Sequence, residues 1–146
     1  MGTPDERDAV QQVDGSGNIR RMFGIFQLFG PSRQQQRLDA AVRAVGVHPR
    51  LVPGAVKIAI IRMLEERQAG ADEAACAHAA ELLGYLMHGP KVYAEDNGEA
   101  ATAAAEDRIE SAIGAESGPD ARLILLALHA NIAAPEVVEA YGLEAG

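Results

Sequence analysis

From Ser32 to Gly142, large apolar residues recur every three or four positions, and stretches of this kind end at glycine or proline. This spacing places apolar side chains on one side of a helix, whereas a half-buried strand needs strict alternation of apolar and polar residues. Sustained alternation is absent from the sequence, and no Asn-Gly or Asp-Gly pair joins two apolar stretches of strand type. The pattern predicts an all-α fold, an irregular bundle of five or six short to medium helices in a single domain.

Two helices are predicted in the first part of this region. Ser32 is a suitable N-cap for a helix from Arg33 to Val45, in which apolar residues repeat at helical spacing. The second helix begins at Pro49 or Pro53, where a missing N–H has no consequence, and continues to Gly70. Its apolar stripe, which we expect to be buried, comprises Val56, Ile60, Met63 and Leu64.

Four further helices are predicted after Gly70. Asp72 can cap the first of them, and the pair Gly89-Pro90 supplies a left-handed residue and a stop at its end. Asn97 can cap the second, and Ser117 opens the third. The four helices are expected at residues 73–88, at residues 98–113, from Ser117 to about Asn131, and from Pro135 to Tyr141.

The first 17 residues differ in composition from the rest of the chain. They are rich in acidic and small polar residues and contain few large apolar ones, so they have little surface to bury. We expect residues 1–17 to be disordered, because burial would not offset the loss of chain entropy on ordering. A single helical domain is then expected at residues 18–146, and Met22 offers an alternative start of the chain within it.

The segment Ile19 to Phe29 holds two arginines and the three phenylalanines of the protein, Phe23, Phe26 and Phe29. Two interpretations are open for it. A helix that docks its phenylalanines into the core is favoured, because each phenylalanine contributes a large area and other aromatic residues are few. The alternative is contact with a membrane interface, as in short amphipathic anchors.

The composition of the chain indicates the kind of genome that encodes it and the cellular compartment in which it is expected. The chain has two lysines and eleven arginines and is rich in alanine, which indicates a GC-rich bacterial genome. Its single cysteine, Cys76, cannot form an internal disulfide, and no secretory signal pattern is present, so we expect a cytoplasmic location. No apolar run approaches the ~20 residues of a transmembrane helix. No cofactor is expected, because the sequence contains no cofactor-binding motif.

Charge is distributed unevenly along the chain, whose formal total is −8. Residues 18–63 carry eight basic residues against one acid, whereas the residues from 64 onward carry four basic residues against sixteen acids. Segregation of this kind indicates an anionic partner, which we expect to be another protein with an acidic surface. The residues predicted to bind it flank one predicted turn and are Arg37, Arg43 and Arg50.

The same basic region has a second interpretation. Residues 33–63 comprise two predicted helices separated by a short turn, which superficially matches a helix-turn-helix that binds nucleic acid. Pro53 falls where the second helix would present its first turn to the major groove, and this weakens the match. An ordinary helical hairpin is the simpler interpretation, so nucleic acid is the less expected partner.

One stripe of the helix predicted at 73–88 gathers four polar residues, His78, Glu81, Tyr85 and His88, because a helix turns by about 100° per residue. The simplest interpretation is a solvated side, opposite the predicted core positions Leu82, Leu83 and Leu86. The alternative is a small-molecule or metal site. The two histidines lie about 15 Å apart along the helix axis and cannot share an ion. No paired-cysteine or Glu-x-x-His spacing supplies further ligands, so no metal is expected.

No motif for catalysis emerges from the sequence. Cys76 lies within an alanine-rich predicted helix, where a core role is expected rather than an activated thiolate. A nucleophile elbow and a phosphate-binding loop are both absent. The favoured function is a non-catalytic protein-interaction module, adaptor or regulatory, with a basic N-terminal half and an acidic C-terminal half. The alternatives are a small-molecule or metal-binding protein and, behind it, a nucleic-acid-binding protein.

Overall fold

The computed structural model describes residues 32–67 and 69–144. Within these ranges the backbone forms six α-helices and one short 3-10 helix, with no strand. The predicted all-α class and the predicted bundle are therefore confirmed. The α-helices are α1 (Arg33–Ala44), α2 (Gly54–Glu65), α3 (Glu73–Asn97), α4 (Glu99–Ala115), α5 (Pro119–His129) and α6 (Pro135–Tyr141).

Several predictions concern residues that lie outside the described ranges. These are the disorder at residues 1–17, the domain boundary at residue 18, the alternative start at Met22, and the role of Ile19 to Phe29 with its three phenylalanines. From Gln34 onward, the described residues belong to one compact unit. None of the described helices has the length and apolar character needed to cross a membrane.

The two N-terminal helices form where the sequence predicts them, with small differences at their boundaries. The first helix ends at Ala44, one residue before the predicted end at Val45. Pro49 does not begin α2 but begins the 3-10 helix Pro49–Leu51, because the backbone is extended at Val52 and Pro53 before α2 starts. The end of α2 lies at Glu65 rather than at Gly70, since the one apolar residue between Leu64 and Gly70 is Ala69, which is small and exposed and does not pack a further turn. The predicted stripe of α2 is buried: Val56, Ile60, Met63 and Leu64.

The third helix contains a break at Gly89, whose φ of 86° and ψ of 169° lie outside the helical region. The stop predicted at Gly89-Pro90 is confirmed, although the helix resumes and continues to Asn97, which the sequence pattern did not predict. The predicted cap is also confirmed, since Oδ1 of Asp72 accepts the N–H of Ala75 at 2.8 Å. Pro90 begins the resumed segment, where its fixed φ suits a first helical turn.

The break also releases a carbonyl group in the core. In an uninterrupted helix the N–H of residue 90 would bond to the carbonyl of Leu86, but proline has no N–H. The Leu86 carbonyl instead accepts the N–H of Ala134 at 2.7 Å. Because Ala134 is the N-cap of α6, this bond fixes the start of α6 against the break in α3.

The cap predicted at Asn97 is wrong, because Gly98 is the N-cap of α4, with φ of 91° and ψ of 167°. Asn97 is the last residue of α3, and its side-chain amide donates to the carbonyls of Tyr93 at 3.3 Å and Val45 at 2.9 Å. The amide thereby ties the end of α3 to the turn that follows α1. A tertiary contact has taken the place of the local cap that the sequence predicted.

The two C-terminal helices lie close to their predicted positions. Gly118, rather than Ser117, is the N-cap of α5. The same helix ends at His129, two residues before the predicted end at Asn131, which adopts a left-handed φ of 59°. The bounds of α6 are those predicted.

The centre of the bundle is α3, which packs against α2, α4, α5 and α6. Its predicted core leucines are fully buried. Gly84 allows a close approach on another side of the helix, since a Cβ there would lie 2.9 Å from the side chain of Val45. Tyr85 and Tyr93, the largest of the fully buried side chains, meet edge to face with ring centroids 5.8 Å apart.

We expect Gly89→Ala to lower the free energy of unfolding by about 1 to 3 kcal/mol, because its φ and ψ are accessible only to glycine. The added Cβ would also lie 2.8 Å from the carboxylate of Glu136. The control is Gly114→Ala in α4, where open space surrounds the added Cβ and stability should rise by up to about 1 kcal/mol. Urea unfolding followed by circular dichroism measures both changes. Equal effects of the two substitutions would contradict a glycine requirement at the break.

Candidate functional site

The side chain of Arg108, which is 16% exposed, extends from α4 to both α3 and α5. Its Nε and Nη2 donate to the two carboxylate oxygens of Asp120 at 3.0 and 2.8 Å. Its Nη1 donates to the carbonyl of His78 at 2.8 Å. A bidentate pair fixes orientation as well as distance, so this one planar group links three helices.

The Asp120 carboxylate is kept ionised by this pair. Hydrogen bonds from Arg108 lower the pKa of Asp120, while partial burial acts in the opposite direction. Electrostatic interactions with Arg108, His78 and Arg67 lower the pKa of Asp120 further. The negative charge of Asp120 is thus present at neutral pH and is matched by the charge of Arg108.

The four polar residues predicted to share a stripe of α3 do not form one site. His78 and Glu81 are exposed, but Tyr85 is only 2% exposed. His88 is half-buried at the end of the stripe, and its Nδ1 lies 4.0 Å from the carboxylate of Asp96. The interpretation of the whole stripe as a solvated side is therefore wrong for Tyr85, while His78 and Glu81 do face solvent.

Tyr85 is buried because α4 packs over this part of α3. Its hydroxyl donates to the carboxylate of Glu106 on α4 at 2.9 Å. Burial first, and this hydrogen bond second, raise the pKa of Tyr85 well above its usual range. A central helix buries more than one face, and the polar stripe on α3 could not reveal this from the sequence.

Two clefts among the described residues share Arg108 as a wall. The first, of about 370 Å³, lies between α2, α3 and α5 and includes His78 and Asp120. The second, of about 470 Å³, lies between α1, α3 and α4 and includes Glu81, whose Oε1 is 4.0 Å from Nη1 of Arg108. The predicted neighbours His78 and Glu81 are therefore divided between two clefts.

Sequence reasoning missed Arg108 and Asp120. His78 and Arg108 are 30 residues apart, and no local pattern marks a contact at that separation. The sequence offers one signal for them. Basic residues are scarce after residue 63 and acids are many, so an arginine in this region has several carboxylates available as partners. That signal applies equally to Arg122, which pairs on the surface with Glu66 at 2.9 Å.

The three arginines predicted to bind a partner differ in their surroundings. Nη1 of Arg37 donates to the carbonyl of Ala71 at 3.3 Å, so its guanidinium is partly engaged within the fold. Arg43 and Arg50 are exposed, and neither forms an ion pair with another described residue. Their role in binding a partner stays a prediction.

The Cys76 side chain is fully buried, as predicted, and burial raises the pKa of its thiol. In the described ranges, no three side chains among His, Cys, Asp and Glu lie close enough together to hold a metal ion.

Comparison of the chain with models of protein families, with curated proteins and with solved structures finds no match.

We expect Asp120→Asn to lower the free energy of unfolding by about 2 kcal/mol at neutral pH, because charged hydrogen bonds to Arg108 are lost. The pKa of Asp120 is depressed in the folded state, so its contribution is present above the unfolded value near 4 and is lost as the pH falls through the folded value. The difference between wild type and variant should therefore shrink below about pH 4. Urea unfolding across this range measures it.

Asp107→Asn supplies the control for that experiment, since Asp107 is exposed on the same helix as Arg108. The free energy of unfolding of Asp107→Asn should differ from that of the wild type by less than about 0.5 kcal/mol at each pH. A loss in Asp120→Asn that does not vary with pH would contradict the proposed role of the ionised carboxylate.

Charge reversal should separate Arg37 from the other two arginines. Arg37→Glu should lower the free energy of unfolding by about 1 to 3 kcal/mol, because it removes a donor to Ala71 and places a carboxylate beside that carbonyl. Arg43→Glu and Arg50→Glu should each change it by less than about 0.5 kcal/mol. Thermal unfolding of the three variants measures the difference, and three equal changes would show that the Arg37 contact is unimportant.

Proposed function

We propose that this protein is a non-catalytic protein-interaction module, adaptor or regulatory, that binds an acidic amphipathic helix of a partner protein. The binding surface is formed by the 3-10 helix and the exposed side of α2, and we call it the α2 surface. Its members are Arg50, Leu51, Ile58 and Arg62.

The observation that carries this proposal is the exposure of large apolar side chains that lie close to cations along the chain. Leu51 is 57% exposed and Ile58 is 38% exposed. Arg50 precedes Leu51 in the chain, and Arg62 follows Ile58 by one helical turn. A surface that combines apolar area with positive charge suits an amphipathic helix whose polar residues are acidic.

The cations of the α2 surface are available to a partner. Arg50 and Arg62 form no ion pair with any other described residue, whereas the nearby Lys57 is paired with Asp39 at 2.8 Å. Free cations on a surface accelerate association with an acidic partner, an effect that salt screens. The ion pair between Lys57 and Asp39 therefore neutralises only one of the positive charges of residues 18–63.

A protein partner fits this surface better than nucleic acid does. A recognition helix reads base edges with polar side chains in its first turn. The first turn of α2 instead exposes Gly54 and Ala55, which have no side-chain hydrogen-bonding groups. Leu51 and Ile58 would likewise gain little from a phosphate backbone.

The proposal is tested with a photoreactive p-benzoylphenylalanine in place of Leu51, in the cells from which the protein comes. Val92 replaced in the same way is the control, because it is 41% exposed on the resumed segment of α3. We expect position 51 to crosslink one protein, and position 92 not to crosslink it. The crosslinked segment of that protein should be an acidic amphipathic helix.

Two double variants then test the chemistry of the surface. Ile58→Ser with Arg62→Glu should reduce crosslinking at position 51 by more than tenfold, as should high salt. Lys91→Glu with Val92→Ser makes the same chemical changes elsewhere and should leave it unchanged. The proposal fails if crosslinking at position 51 survives the first pair, or if the crosslinked segment is basic.

A further inference from the structure

The cleft between α2, α3 and α5 is a second candidate binding site, separate from the α2 surface. Its volume of about 370 Å³ falls in the range of small-ligand sites. Met63, Leu64, Ala79 and Leu123 are buried residues that line it, and they form an apolar floor. An apolar floor of this kind accepts a hydrocarbon group and excludes water from it.

The charged groups at the rim of this cleft are not equally available. Asp120 is paired with Arg108, and Oδ1 of Asp72 accepts the N–H of Ala75. Arg67 is exposed at the rim and forms no hydrogen bond or ion pair with another described residue. Its charge acts on Asp120 only through an electrostatic interaction, which lowers the Asp120 pKa less than the hydrogen bonds from Arg108 do. One positive charge at the rim therefore has no fixed partner.

The helices that surround the cleft also favour a negatively charged ligand. Ala74 and Ala75 in the first turn of α3 line it, and so does Pro119 at the start of α5. The positive ends of two helix dipoles thus point to this region, although Asp72 and Asp120 offset part of their effect. The free guanidinium of Arg67 decides the preference for an anion.

We propose that this cleft binds a short aliphatic monocarboxylate, with its hydrocarbon chain on the apolar floor and its carboxylate paired with Arg67. The carboxylate matches the single free cation, and Arg binds carboxylates through two parallel N–H donors. A cationic ligand is less favoured, because the Asp120 carboxylate is already bound by Arg108 and Oδ1 of Asp72 accepts a backbone N–H at the positive end of α3. This inference does not depend on the α2 surface or on its partner.

Octanoate is the probe, with octanol and octylamine as ligands of similar chain length but different charge. Titration of the full chain followed by NMR should show octanoate shifting the signals of Met63, Ala79 and Leu123. Octanol and octylamine should bind at least tenfold more weakly, because neither can pair with Arg67. Equal binding of the three ligands, or no shift with octanoate, would overturn the proposal.

Variants then assign the binding to this cleft. Arg67→Gln should weaken octanoate binding about tenfold or more, the effect of a charged hydrogen bond. Ala74→Leu should also weaken it, because the larger side chain enters the mouth of the cleft while remaining compatible with a helix. Lys91→Gln removes another exposed positive charge, on the resumed segment of α3 and outside both proposed sites, and should leave binding unchanged.

Thermal unfolding without ligand shows whether each variant folds. Folded Arg67→Gln or Ala74→Leu protein that binds octanoate as tightly as wild type would refute the site. An equal loss in Lys91→Gln would refute it too, because the effect would then follow total charge and not position.

Discussion

The hydrogen bond from Ala134 to the Leu86 carbonyl is the contact on which the arrangement of the C-terminal half depends. It forms because Pro90 cannot satisfy that carbonyl and because Gly89 turns the chain through a conformation reserved for glycine. Leu86 is fully buried, and an unsatisfied carbonyl there would be destabilising by about 1 to 3 kcal/mol. The interruption of α3 thus creates the acceptor that positions α6.

Among the charged residues, Arg108 positions helices in the way that the bond between Ala134 and Leu86 positions α6. The core around it is filled mainly by alanine and branched aliphatic side chains, which pack closely but form no contacts that depend on orientation. Its hydrogen bonds to Asp120 and to the His78 carbonyl are directional, so they fix how α4 and α5 meet α3. The same guanidinium forms a wall of two clefts, and the shape of the proposed carboxylate site therefore depends on it.

The two proposed sites use arginine in different ways. On the α2 surface, Arg50 and Arg62 flank exposed apolar side chains, a combination that suits a large partner with an extended acidic face. At the cleft, Arg67 is the one lining cation without a hydrogen bond or ion pair to another described residue, and it lies beside an apolar floor, a combination that suits a small molecule with one acidic group. Both proposed ligands are anionic, and the shape of the apolar surface beside each arginine distinguishes the two proposed sites.

The sequence by itself determined the helical class, the buried stripe of α2, the Asp72 cap and the stop at Gly89-Pro90, because these follow from spacing and backbone chemistry within one element. Tertiary structure alone decided that Asn97 reaches back to Val45 rather than capping α4, and that Tyr85 is covered by α4. It also decided that Arg108 and Asp120, from two different helices, meet beside His78. Contacts between distant segments depend on how helices pack, and the periodicity of each helix does not contain that information.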